Sequence, residues 1–180
     1  MSGTSTEARA AHEGGHVIAA MLLGWTVDSA TIDGPENCID PLLVAVAEQR
    51  ASDRQVAFRR LFGLRTYMTI VFAGAAAEAT VVGVVRDSPV PGVLAVAKTE
   101  LGGLLSDQEV EAVVGGAGTL AERIVTHAAT ADARARLSNA LVELRTLTPS
   151  ELDSIVTPVL PDYTDLFDES EWWTLRVGGS

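Results

Sequence analysis

Apolar residues recur at three- and four-residue spacing from Thr6 to Leu23, through Ala8, Ala11, Val17, Ala20 and Leu23, and predict an amphipathic helix. Thr4 or Thr6 offers its N-cap oxygen, and Gly24 its C-terminal stop. The alternation in Thr26–Ile32 predicts a strand ended by Gly34-Pro35, and the short apolar run Leu42–Ala47 predicts a second one. Helical character resumes near Ser52 and runs to about Val82, with a break expected at Gly63. Arg86-Asp87 opens a loop through Ser88, Pro89, Pro91 and Gly92, followed by a weakly defined stretch to Leu105.

Two capping boxes punctuate the second half. Ser106 with Glu109 opens a helix running toward His127, weakened in its middle by Gly115, Gly116 and Gly118. Ala131–Leu147 reads as a further amphipathic helix. Thr148 with Glu151, and Pro149 at the first helical position, start a short helix to about Val156. Beyond it come prolines, clustered carboxylates and Trp172-Trp173, which read as an extended tail. The expected architecture is mainly α (α+β), with a small β-sheet or hairpin beside the first helix. Residues 1–160 form the folded domain and 161–180 an acidic, Trp-containing tail.

Composition narrows the function. Of 180 residues, 47% are hydrophobic, enough for a buried core without disulfides. A net charge of −11 argues against a sequence-independent nucleic-acid binder and against docking on an anionic membrane. One cysteine, Cys38, allows no intrachain disulfide, and no secretory leader is visible, so a reducing, cytoplasmic setting is expected. The stretch from Tyr67 to Val85 has the length of a membrane span, but Glu78 inside it makes a core helix the better expectation. The chain carries no P-loop sequence, hence no nucleotide-driven motor of that kind.

The chemistry concentrates at Ala11-His12-Glu13-Gly14-Gly15-His16-Val17, an H-E-x-x-H pattern on the first predicted helix. Residues four apart lie on one face about a turn from each other, so His12 and His16 can meet one Zn²⁺. Glu13 falls beside that face as the candidate base for zinc-activated water in peptide hydrolysis. Two of the three histidines sit here, in an apolar, small-residue helix where unliganded imidazoles and a carboxylate make poor core residues. Gly14-Gly15 costs about 1 kcal/mol per glycine relative to alanine, which a close backbone approach at a metal site explains.

The segment ARAAHEGGHVIAAMLLG resembles the HEAGH helix of FtsH-type zinc metallopeptidases, the protease half of membrane-anchored AAA+ proteases. VFAGAAAEATVVG, from Val71 to Gly83, is similar to that family's G-G-R-A-A-E-E-x-x-x-G helix, with Ala75 in place of the arginine and Ala79 in place of the second glutamate. Leu-Thr-Pro-Ser-Glu-Leu, at 147–152, is similar to the end of the family's peptidase domain. The resemblance implies a zincin-like helical peptidase domain whose zinc is held by two histidines and a downstream aspartate. Asp107, opening a helix after serine, fits that aspartate's context, and Asp87 fits its distance. Glu78 is a candidate third ligand, or a carboxylate accepting the N–H of a ligand histidine, or a cap on a buried hydrogen bond. Substrates expected without a motor are peptides or unfolded segments, bound by strand addition beside the zinc helix.

Three other features are weaker. His127 near a helix C-terminus is favourable there without any catalytic role. Cys38 has no histidine near it in sequence and reads as a half-buried residue. Trp172-Trp173 is a candidate contact to the chain's own domain, to a partner protein or to a second copy. The competing functional class is a non-catalytic, metal-stabilised partner-binding module derived from such a peptidase, which the intact Glu13 argues against because a structural zinc needs no base.

Overall fold

The computed structural model describes residues 6–33, 53–84 and 88–162, with the side chains of the second helix described from Gly63 onward. Cys38, the predicted strand Leu42–Ala47, Asp87 and Trp172-Trp173 lie outside the described residues. In chain order the elements are α1 (Thr6–Leu22), β1 (Ala30–Thr31), α2 (Asp53–Val82), α3 (Val90–Leu101), α4 (Asp107–Thr126), α5 (Ala131–Leu144), β2 (Thr146–Leu147) and α6 (Pro149–Val156). Short 3₁₀ turns at Ala128–Thr130 and Thr157–Val159 follow α4 and α6. The chain is thus mainly helical, with one two-stranded antiparallel sheet pairing Ala30 with Leu147 and Thr31 with Thr146.

The core forms around α1 and α2. Small residues cover most of α1, where Ala8, Ala10, Ala11, Gly14, Gly15, Ala19 and Ala20 are buried along with Val17, Ile18 and Leu22. A helix with so little side-chain bulk can be surrounded: α2 packs on one side and α5 on another, while α4 lies against α2 and α3 against α4. Apolar stripes at helical spacing seal these contacts, through Val110, Val114, Ala117, Ala121 and Ile124 on α4 and through Ala133, Leu137 and Leu141 on α5. Each fully buried leucine contributes about 1.5–3 kcal/mol relative to an exposed one. No helix among the described residues is long and apolar enough to cross a membrane.

Local chemistry accounts for most helix ends. Gly24 and Gly83 follow α1 and α2 with φ of 78°, a conformation that side chains with a Cβ resist. Both predicted capping boxes form: Ser106 N–H donates to Glu109 Oε2 at 2.7 Å, and Thr148 N–H donates to Glu151 Oε2 at 2.8 Å.

Four expectations need correction. α2 runs through Gly63 without the expected break. The stretch before Leu105 is a regular helix, α3, in which Pro89 caps and Pro91 occupies the first turn, where a missing N–H costs nothing. The strand foreseen over Thr26–Ile32 shrinks to Ala30–Thr31, because its partner β2 offers only two residues. The helix foreseen to Leu147 ends at Leu144, where Arg145 turns the chain with φ of 65°. That turn is held from afar: Ile32 N–H donates to Arg145 O at 2.9 Å, and the Arg145 guanidinium pairs with Asp33.

Candidate metal centre

His12 and His16 project from the same side of α1 toward α2, with ring centroids 4.7 Å apart and planes at 81°. Each ring is fixed from behind by a group that can only accept. His12 Nδ1–H donates to the Glu78 carboxylate at 3.1 Å, and His16 Nδ1–H donates to the Ile70 carbonyl at 2.7 Å. A proton committed to Nδ1 leaves the Nε2 lone pair of a neutral imidazole free, the arrangement seen behind metal-ligating histidines. Burial pushes the His16 pKa down to about 4, with His12 adding to the effect and the Ile70 bond opposing it, so this ring is neutral at neutral pH.

Gly74 locates both free nitrogens. A Cβ built on Gly74 would come within 3 Å of the Cε1–Nε2 edge of His16 and would lie 2.9 Å from His12 Nε2, so both Nε2 atoms lie close to one point beside that glycine. Ile70, Gly74 and Glu78 succeed each other at four-residue spacing and share one face of α2. The missing side chain in the middle also uncovers the Ile70 carbonyl, which belongs to the turn Gly74 closes.

Glu13, next along α1, is half-buried. Burial raises its pKa above the usual carboxylate range, while His12 and Arg9 pull it partly back. Beside the rings opens a cleft of about 410 Å³, whose wall includes His12, His16, Tyr67, Val71, Pro89 and Val96.

The remaining sequence candidates fall as follows. Glu78 stands behind His12, on the opposite edge of the ring from Nε2, which fits the histidine-orienting alternative. Asp107 is not brought to the histidines: its side chain is 83% exposed and faces Lys98 Nζ at 3.4 Å, in the first turn of α4. Among the described residues no cluster of three or more His, Cys, Asp or Glu side chains is arranged to hold a metal. His127 accepts Ala129 N–H through Nδ1 at 3.2 Å and caps a 3₁₀ turn. Gly15 meets the expected close approach, since a Cβ there would lie 2.7 Å from Ala77 Cβ and 2.8 Å from Ala73 C on α2. Gly14 does not, for its Cβ would find only ordinary contacts with Ser138 and Leu137.

Two features went unnoticed in the sequence, Gly74 and the Ile70 carbonyl. The available signal was the spacing of Gly74 four residues before Glu78 in a helix otherwise filled with alanines. Compared with known proteins, the chain matches no protein-family model and no curated sequence.

Proposed function

We propose that this chain is a zincin-like, zinc-dependent peptidase in which His12 and His16 hold the metal and Glu13 moves the protons. The observation that carries the reading is the pair of Nε2 atoms brought close to one point beside Gly74, each with its Nδ1 proton engaged elsewhere. The two imidazoles suit the ion, since neutral imidazoles are preferred zinc ligands and a carboxylate and a carbonyl behind them are the usual orienting partners; the described residues bring no third ligand to them. Bound there, zinc supplies Lewis acidity, lowering the pKa of water toward about 7 and polarising a substrate carbonyl.

The chain's own residues do the rest. Glu78 and the Ile70 carbonyl hold the two rings in orientation. Glu13 accepts a proton from the attacking water and returns it to the leaving amine, and a raised carboxyl pKa serves both halves of that transfer. The open cleft beside the rings leaves room for substrate, which a closed four-ligand structural zinc does not require. Peptides and unfolded segments are the substrates, and the single cysteine supports a cytoplasmic setting.

The test is metal analysis joined to proteolysis. Purified protein should carry one zinc per chain and degrade casein, and Glu13→Gln should keep the zinc and lose the hydrolysis. Unchanged turnover in Glu13→Gln rejects the assigned base. Stoichiometric zinc in a wild-type protein that leaves casein and peptides intact selects the partner-binding module instead.

A further inference from the structure

A second groove adjoins the first. It measures about 430 Å³ and meets the histidine cleft at Ala75, Ser88 and Pro89, residues that wall both. Its apolar floor includes Phe72, Leu94 and Val114, and its far wall is the face of α4 carrying Glu111, Gly115, Gly118 and Glu122. Residues at these intervals of four, three and four line up along three turns of a helix.

Packing does not account for the glycines on that face. A Cβ on Gly115 would meet nothing within 4 Å, and one on Gly118 would touch only Phe72 Cδ2, at 3.9 Å. Each glycine weakens a helix interior relative to alanine, so their return must come from the groove they leave open. The two carboxylates differ in availability. Glu111 Oε1 lies 3.8 Å from Lys98 Nζ, whereas Glu122 is exposed and its carboxylate has no partner among the described residues.

We propose that this groove is a specificity subsite continuous with the histidine cleft, taking an arginine or lysine side chain of the bound peptide with its stem over Phe72 and Leu94 and its charged head at Glu122. The subsite rests on the peptidase reading for the identity of its ligand. Charge selects the occupant: an apolar floor ending in a carboxylate with no partner among the described residues matches an amphipathic cationic side chain. The same charge disfavours the chain's own C-terminal segment, which carries Asp165, Asp168, Glu169 and Glu171.

Equilibrium binding tests the subsite separately from catalysis. The full-length Glu13→Gln protein is titrated, by fluorescence anisotropy, into fluorescein-labelled Ala-Ala-Leu-Phe-Ala-Ala amide carrying arginine, or its neutral isostere citrulline, at each position in turn. At one position arginine should bind about threefold tighter than citrulline, the scale of a single exposed ion pair, with the preference fading as salt rises. Glu122→Gln should abolish that preference and leave citrulline binding unchanged. Gly115→Leu, placed where a Cβ meets open space, should weaken both peptides by filling the groove. Glu143→Gln on α5 removes the same charge elsewhere and should change nothing. The subsite is overturned by absent binding, by equal binding of arginine and citrulline peptides, by a preference that survives Glu122→Gln, or by an equal loss in Glu143→Gln. A preference that obeys Glu122 in a protein whose wild type hydrolyses nothing sinks the peptidase reading and leaves the subsite standing.

Discussion

Gly74→Ala adds one methyl group, and its effect can be worked out from the atoms around it. The new Cβ would lie well inside 3.0 Å of His16 Cε1 and Nε2 and 2.9 Å from His12 Nε2, where real Cβ contacts stay beyond 3.0 Å. The His16 ring therefore has to move by more than half an ångström, and it is held at Nδ1 by the Ile70 carbonyl. Breaking that bond costs about 0.5–1.5 kcal/mol, and forcing the ring off its rotamer costs a similar amount. Replacing a mid-helix glycine by alanine returns about 1 kcal/mol. The fold therefore loses at most about 2 kcal/mol and survives. The proposed metal site does not, because ligand positions would tolerate only about 0.2 Å of displacement.

Circular dichroism should accordingly show native helix content in Gly74→Ala, with a small fall in Tm, while competition against a chromophoric chelator shows zinc affinity reduced about 100-fold or more. Gly15→Ala supplies the counterpart. Its Cβ would lie 2.8 Å from the Ala73 backbone carbon and 2.7 Å from Ala77 Cβ, atoms that cannot swing aside, so α1 and α2 must separate and the damage falls on Tm. A folded Gly74→Ala protein that binds zinc as tightly as wild type would refute the convergence of the two nitrogens on one ion.

Further outcomes follow from the same geometry. Glu78→Ala frees His12 Nδ1 and should weaken zinc binding about 10–100-fold by chelator competition, with Glu78→Gln recovering part of the loss by still accepting the bond. Asp107→Asn should leave zinc content unchanged, since the exposed carboxylate faces Lys98; metal loss in this variant, and not in Asp87→Asn, returns the third-ligand role to Asp107. Metal-free protein should lose stability on acidification: His16 titrates near 6.5 when unfolded and about 4 when folded, so between these values the unfolded chain binds more protons and stability falls as pH falls. The loss approaches about 3 kcal/mol by pH 4 in chemical denaturation, and His16→Gln should remove that part of the pH dependence.

The features legible in the sequence are those decided within one helical turn. The glycine stop at Gly24, the capping boxes and the four-residue spacing of His12 and His16 each specify their geometry locally, and each stands where expected. Asp107 stands apart from the histidines, and the same rule accounts for its position without metal: an aspartate in a first helical turn is favoured by the helix dipole. Prolines misled at α3, because residues that exclude a helix interior are welcome at its start; the stripe Val93, Ala97 and Leu101 was the better guide. β2 could not be read, since the turn at Arg145 depends on Asp33, 112 residues away.

The proposed metal centre depends on register between two helices. α1 presents His12 and His16 one turn apart, and α2 answers with Glu78, Gly74 and Ile70 at four-residue intervals, the helices running in opposite senses past each other. His12 reaches one outer position and His16 the other, so both rings lean toward the glycine between. Gly15 against Ala73 and Ala77 sets the distance and the phase, because only a side-chain-free residue lets α1 seat that closely. A slip of one turn, about 5.4 Å, would put a carboxylate or a carbonyl where the gap now lies and leave one histidine without its acceptor. The glycines are thus as much a part of the proposed site as the histidines: one fixes the register, and the other leaves the room that both imidazoles occupy beside α2.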